Sequence, residues 1–393
     1  MKLPRGFSAS GVRSGVRKKR PDLALIVAEK GATAAAIFTR NRLPAAPVVL
    51  SRAALKRTNG RLRAVVVNAG CANAITGRAG VAGALRVRRR AAELVRCEPA
   101  EVFLASTGVI GVPLPDAKIR AALPDAVARL SASGLDAASQ AILTTDVGPK
   151  VAVATFRRDG RTGRVVGFAK GAGMIHPNMA TMLAFVMTDA PAAPEYLHDV
   201  LRRAAADSFN AISVDGDTST NDTVLLMASG RLGGSPMTGG AEDADFERAL
   251  SAVCGELAWR IVRDGEGATR VMDIRVRGAA SSRDARLAAH AVATSPLVKT
   301  ALHGGDPNWG RILAAVGRSG ARFSTRRVAL SVGSIAMVSG GEPAGYRERD
   351  AARVFARERV PLTVDLGVGS AEARVLSSDF GHDYVSLNAD YRS

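Results

Sequence analysis

A mixed α/β fold is predicted by three observations on this 393-residue chain. Short apolar runs of strand length, bounded by glycine and other turn residues, recur along it. They alternate with longer stretches whose apolar residues return every three to four positions, and hydrophobic residues make up 47% of the total, enough for one large core or two smaller ones. Periodicity alone carries the reading no further than mixed α and β.

Residues 22–29 and 33–39 read as two strands joined by a turn at Lys30-Gly31, most simply an antiparallel pair. A further apolar strand over 64–67 runs into the small-residue loop 68–74. The helix expected over 80–95 carries apolar side chains on one face and arginines on the other, and Pro99 marks its end. Residues 102–105 form a short strand that empties into Ser106-Thr107-Gly108-Val109-Ile110-Gly111, where small residues let backbone N–H groups face a ligand closely. An ordinary strand-to-loop turn has the same composition. Residues 116–138 are mostly helical in pattern, with breaks expected at Pro124 and Gly134. The next strand region opens over 141–146, and strands over 151–156 and 164–169 flank the turn Asp159-Gly160.

Gly171, Gly173 and Pro177 make 170–180 a loop, after which Thr181 heads an apolar strand over 182–188. A hydroxyl between a flexible loop and a buried strand is also a common turn residue. An amphipathic helix follows over 195–208. The polar run 215–222 looks superficially like a calcium loop, but an EF-hand needs Gly at 220 and Glu at 226, where this chain has Thr220 and Leu226. The clearest helix spans 243–263, with Phe246, Leu250, Val253, Leu257 and Ile261 at helical spacing and Trp259 on the flank of that stripe. A strand over 271–276, a helix over 285–302, strands over 327–332 and 361–366 and a helix over 347–358 complete the pattern.

The net charge of +18 raises nucleic-acid binding as a rival function. Aromatic residues are only 4%, which leaves few stacking platforms, and runs such as Arg86 to Arg90 fit a solvated helix face, so no specific nucleic-acid partner is expected. No apolar run approaches the roughly 20 residues that span a bilayer, and the basic start is followed by no signal-peptide core. Cytoplasmic localisation is the expectation. Cys71, Cys97 and Cys254 form no paired spacing, and the five histidines show none typical of metal ligands, so no metal is expected.

The stretch from Lys170 to Phe185 closely resembles the autoprocessing site of the ornithine acetyltransferases, also called glutamate N-acetyltransferases. Other blocks resemble that family in the family's order: Phe38-Thr39-Arg40-Asn41 with Ala45-Ala46-Pro47-Val48, Ser106 to Gly111, Thr144-Thr145-Asp146, Asp215 to Thr223, Asp264 to Thr269, Asp306 to Arg311, and Asn388-Ala389-Asp390-Tyr391. Together they cover nearly the whole chain. One departure is Gly305, where family members commonly carry an acidic residue.

The resemblance implies a layered sandwich in which β-sheets are packed between helices. It implies self-cleavage between Ala180 and Thr181, giving an alpha chain of residues 1–180 and a beta chain of 181–393 that pair into a heterotetramer of two of each. A threonine made N-terminal by such a cut has its own α-amine as general base, with a reference pKa of about 7.7 to 8.0. Thr181 would then take the acetyl group from N2-acetyl-L-ornithine and pass it to L-glutamate. By the same resemblance Thr107 and Gly108 form the oxyanion hole, and Thr144 or Thr145, Lys170, Thr181, Glu266, Asn388 and Ser393 bind substrate. No cofactor is consumed in that cycle, although some members also use acetyl-CoA as a second acetyl donor. A variant with water as acceptor, an N-terminal-nucleophile aminopeptidase or amidase of the same superfamily, is the alternative.

Overall fold

Alternation of side chains along one long strand accounts for the layering of the first part of the molecule. In the computed structural model, which describes residues 1–176 and 182–390, Leu23, Leu25 and Val27 enter one core with Ala84, Val87 and Ile119. Ala24, Ile26 and Ala28 enter another with Leu135, Ala138 and Phe168. A strand apolar on both faces is what a sheet covered by helices on both sides requires.

The strands of this part are β1 (Phe7–Val12), β2 (Leu23–Phe38), β3 (Arg61–Cys71), β4 (Val102–Val109), β5 (Lys150–Arg158), β6 (Arg161–Lys170) and β7 (Leu183–Thr188); after β8 (Ile212–Ser213), which joins a different sheet, comes β9 (Thr223–Ala228). Their order is β4-β3-β2-β9-β7-β6-β5, with β1 paired to β2. The helices are α1 (Ala46–Arg57), α2 (Gly77–Val95), α3 (Asp116–Ala128), α4 (Leu135–Ala141), α5 (Pro194–Ala206) and α6 (Ala244–Arg263). The described residues of 1–210 and 217–261 make up this compact unit.

Residues 211–216 and 262–390 form a second unit. Its strands β10 (Val271–Ala279), β11 (Ala329–Val332), β12 (Ile335–Ser339), β13 (Glu342–Pro343), β14 (Arg359–Asp365) and β15 (Ala371–Ser378) order as β13-β12-β11-β14-β10-β15-β8. Its helices are α7 (Ser282–Ala293), α8 (Pro296–Gly304), α9 (Trp309–Gly317), α10 (Glu348–Phe355) and α11 (His382–Asp390). Ile274 and Val364 of the sheet share one core with Ala288, Leu302 and Ile312 of the helices.

Several expectations are corrected. Residues 22–29 and 33–39 are one strand, not an antiparallel pair. Its register with β3 shifts between Val27 and Ala32, and Gly31 takes φ +82°. The irregularity lets the first half of β2 pair with β1 and the second half with β9 along the same edge. Pro124 does not break its helix. It lies inside α3 at the loss of one backbone donor, and the break falls after Ala128. Residues 142–146 form no strand, because their backbone is folded around a buried carboxylate instead. The helix expected over 285–302 divides at Ser295, where Pro296 begins a new one. Thr107 and Gly108 belong to β4 itself and not to a loop beyond it.

Candidate active site

Lys170 ends β6, and β4 and the loop 142–146 of the first unit converge on its ammonium. The side chain is buried; Nζ donates to Thr144 Oγ1 at 2.7 Å and to Thr107 Oγ1 at 3.4 Å, and lies 3.8 Å from Asp146 Oδ2. Of the two adjacent threonines, Thr144 is thus the one that meets Lys170, while Thr145 is a half-buried neighbour. Asp146 is the hub of the cluster. Its Oδ1 accepts from Lys150 Nζ at 2.7 Å and from the Gly171 N–H at 2.6 Å, and its Oδ2 accepts from the Thr144 N–H at 3.0 Å. Burial pushes this carboxyl up, but the charges of Lys170 and Lys150 and the hydrogen bonds to it outweigh burial and hold it well below the usual carboxylate range.

Removing that charge has a predictable cost. Asp146→Asn leaves two buried ammonium groups without their shared carboxylate and is expected to destabilise the fold by about 3–5 kcal/mol. Since the folded pKa is depressed, the stability Asp146 supplies is fully present above its unfolded value near 3.9 and is lost as pH falls through the folded one. Urea denaturation at pH 5 and at pH 2 should therefore show a smaller loss on acidification in the variant than in the parent.

Close backbone approach explains Gly108. Strands β3 and β4 run parallel with Ala69 opposite Thr107 and Gly70 opposite Gly108, and the register shifts at Cys71. Gly108 takes φ +130°, and a Cβ placed there would lie 2.3 Å from the Gly70 carbonyl carbon. No other residue type fits. The strand ends are locked from a third side by Asn221, whose Nδ2 donates to the carbonyls of Ala72 at 2.7 Å and Ser106 at 2.8 Å, while Ser106 Oγ donates to Asn68 Oδ1 at 2.6 Å. Next to it, Asp222 accepts the Met182 N–H at 3.0 Å in a fully buried setting that pushes its carboxyl far above the usual range. The polar run 215–222, which is no EF-hand loop, is a hydrogen-bonded turn.

Asp146, Lys150, Asn221 and Asp222 were not among the predicted site residues. The four-residue spacing of Asp146 and Lys150 lies off any helix and gives no periodic cue. In the second unit, Asn388 Nδ2 donates to Glu266 Oε2 at 2.8 Å, so these two predicted residues are brought together. Gly267 makes that turn possible: at φ +67°, its Cβ would meet the Tyr384 backbone nitrogen at 2.5 Å. Ala180, Thr181 and Ser393 lie outside the described residues. Among the described residues no cluster of three His, Cys, Asp or Glu side chains is arranged to hold a metal, and no helix is long and apolar enough to cross a membrane.

A sequence profile of the ArgJ family matches residues 8–393. The chain belongs to the ArgJ family. A relative from Symbiobacterium thermophilum, named arginine biosynthesis bifunctional protein ArgJ, is 47% identical over 395 residues, covering 99% of this chain and 98% of its own length. A relative of the same name from Geobacter sulfurreducens is 48% identical over 392 residues, with 99% of each chain covered. A crystal structure of the protein so named from Bacillus halodurans is similar with a TM-score of 0.52 and 39% identity, over 53% of this chain and 98% of that one. The layered α/β fold expected from the sequence is the fold found: in each unit a mixed sheet is packed with helices.

Proposed function

We propose that this chain is the acyltransferase of arginine biosynthesis that moves an acetyl group from N2-acetyl-L-ornithine to L-glutamate through an acetyl-Thr181 intermediate. Full-length membership of the ArgJ family carries the reading. The chain first cuts itself between Ala180 and Thr181. In support, the matched Bacillus halodurans chain corresponds to 53% of this one, close to the share that residues 181–393 would make, 213/393 or 54%.

The free α-amine of Thr181 takes the proton of its own Oγ as that oxygen attacks the acetyl carbonyl. The tetrahedral oxyanion is held by Thr107 and the Gly108 N–H, a contribution of about 3–4 kcal/mol per donor in acyl-transfer sites. Lys170, in hydrogen-bond reach of Thr107 Oγ1, keeps that hydroxyl's proton directed away from the ammonium and toward the oxyanion. Collapse breaks the C–N bond, the proton passes to the departing ornithine amine, and the glutamate amine then attacks the acetyl ester in the reverse sense. The family resemblance supports Thr144 and Lys170 as substrate contacts of the first unit and Glu266 and Asn388, bonded to each other, as substrate contacts of the second, with Ser393 carried over by the same resemblance. The word bifunctional in the relatives' names supports acetyl-CoA as a second acetyl donor. Assembly as a heterotetramer of cleaved chains in the cytoplasm belongs to the same reading.

Incubating purified protein with N-acetylornithine, with and without glutamate, tests this. N-acetylglutamate and ornithine should appear in equal amounts, and only slow ornithine release is expected without glutamate. Release at an undiminished rate in its absence would mark an amidase instead. Replacing N-acetylornithine by acetyl-CoA measures the second donor.

A further inference from the structure

Asp379 follows β15 and leads through Phe380 and Gly381 into α11, the helix that carries Asn388. Its carboxylate is buried and accepts from two other segments of the second unit. Oδ1 accepts the backbone N–H groups of Thr269 at 2.7 Å and Arg270 at 3.0 Å, and Oδ2 accepts Thr269 Oγ1 at 2.6 Å. His303 Nδ1, from the end of α8, stands 2.8 Å from the same Oδ2. Burial pushes this carboxyl up, but the hydrogen bonds from Thr269, Arg270 and His303 outweigh it and hold the group below the usual carboxylate range. An ionised carboxylate only accepts, so His303 carries a proton on Nδ1.

Thr269 and Arg270 close the turn that holds Glu266, in which the Ala268 N–H donates to Gly265 O at 2.8 Å. The segment entering α11 is fixed as firmly. Phe380 N–H donates to Lys299 O at 3.2 Å, the Phe380 and Tyr384 rings lie 4.2 Å apart, and a Cβ on Gly381 would fall 2.2 Å from His303 Cε1. One carboxylate thus ties the Glu266 turn to α8 and to the start of α11, and the Asn388 amide reaches Glu266 from that helix.

We infer, on the reading of Glu266 as a substrate contact, that Asp379 is its positioning residue, holding the 264–269 turn so that substrate meets Glu266 already oriented, with His303 as the brace behind it. Steady-state kinetics of the processed protein at saturating glutamate test this. Glu266→Gln should raise KM for N-acetylornithine by about tenfold or more. Asp379→Asn should raise it by at least about fivefold with kcat within about twofold, since orientation of a binding group is lost and the nucleophile is not. In the Glu266→Gln background Asp379→Asn should change KM by less than about twofold, because a residue acting through Glu266 then has nothing left to place. His303→Ala removes one of the four bonds and should raise KM by about threefold, and His303→Asn, whose amide can stand where Nδ1 stands, should restore it. If Asp379→Asn does not fold, the two His303 variants decide, since they keep the three bonds to the turn. A Glu266→Gln protein with unchanged KM overturns the reading of Glu266 and this inference with it. A raised KM in Glu266→Gln overturns the inference alone if Asp379→Asn and His303→Ala leave KM unchanged, or if the effects of Asp379→Asn and Glu266→Gln multiply.

Discussion

Thr181→Ala is expected to yield one uncut 393-residue polypeptide with no measurable acetyl transfer. Both losses have one cause. Without the hydroxyl there is no atom to attack the preceding carbonyl, and without the cut residue 181 has an amide nitrogen in place of an amine, so no base is present either. Thr181→Ser keeps a hydroxyl and should retain part of both activities. Denaturing electrophoresis with N-terminal sequencing, run beside the transfer assay, reads the outcome. A Thr181→Ala protein that still appears as two fragments, or still transfers acetyl groups, would sink the assignment of the nucleophile.

Gly108→Ala is expected to be the most damaging small substitution elsewhere in the chain. The added methyl would have to occupy a point 2.3 Å from the Gly70 carbonyl carbon and 2.6 Å from the Cys71 nitrogen, both of them backbone atoms that no side-chain rotation can move. Left-handed strain adds about 1–3 kcal/mol, and relief by separating β3 from β4 would shift the oxyanion donors proposed at Thr107 and Gly108. A fall of about 10²–10³ in kcat is anticipated from a displaced oxyanion donor, with KM for N-acetylornithine changing less. Gly111→Ala is the matched control: its φ is +78°, but nothing lies within 4 Å of an added Cβ. It should therefore lose stability without losing the catalytic step. Equal damage from both substitutions would show that strain, and not the closeness of β3, sets the requirement for glycine.

What was legible in the sequence depended on whether a residue's neighbour in space was also signalled along the chain. The helix over 243–263 needs only its own periodicity, and it is present as α6. Thr107, Gly108 and Lys170 stand in short blocks that carry their own resemblance. By contrast, nothing in the spacing of Lys150, Asp146 and Lys170 says that two lysines share one carboxylate, because the meeting is made by the pairing of β5 with β6 and the fold of a loop. The single strand β2 read as two for a related reason. Lys30-Gly31 has the composition of a hairpin turn, and only the positions of β1 and β9 on the same edge reveal that the chain continues. Helix α1 escaped notice because its apolar stripe is weak and its buried face includes Ser51, whose hydroxyl donates to the Leu104 carbonyl.

The strand order has a consequence for the life history of the molecule. Strands β9 and β7 sit between β2 and β6, so a cut between residues 180 and 181 leaves two strands of the later fragment hydrogen-bonded on both sides to strands of the earlier one. Such a sheet can be assembled only while the two segments are still one polypeptide, or by threading a pair of strands into a gap whose walls are not otherwise joined. The uncut chain is expected to regain its structure by a first-order process. The severed protein, once denatured, has to find its other half, and its recovery should slow in proportion to dilution while the Thr181→Ala chain recovers at a rate independent of concentration. The proposed scission would thus make a reversible fold into one whose persistence rests on how slowly it comes apart.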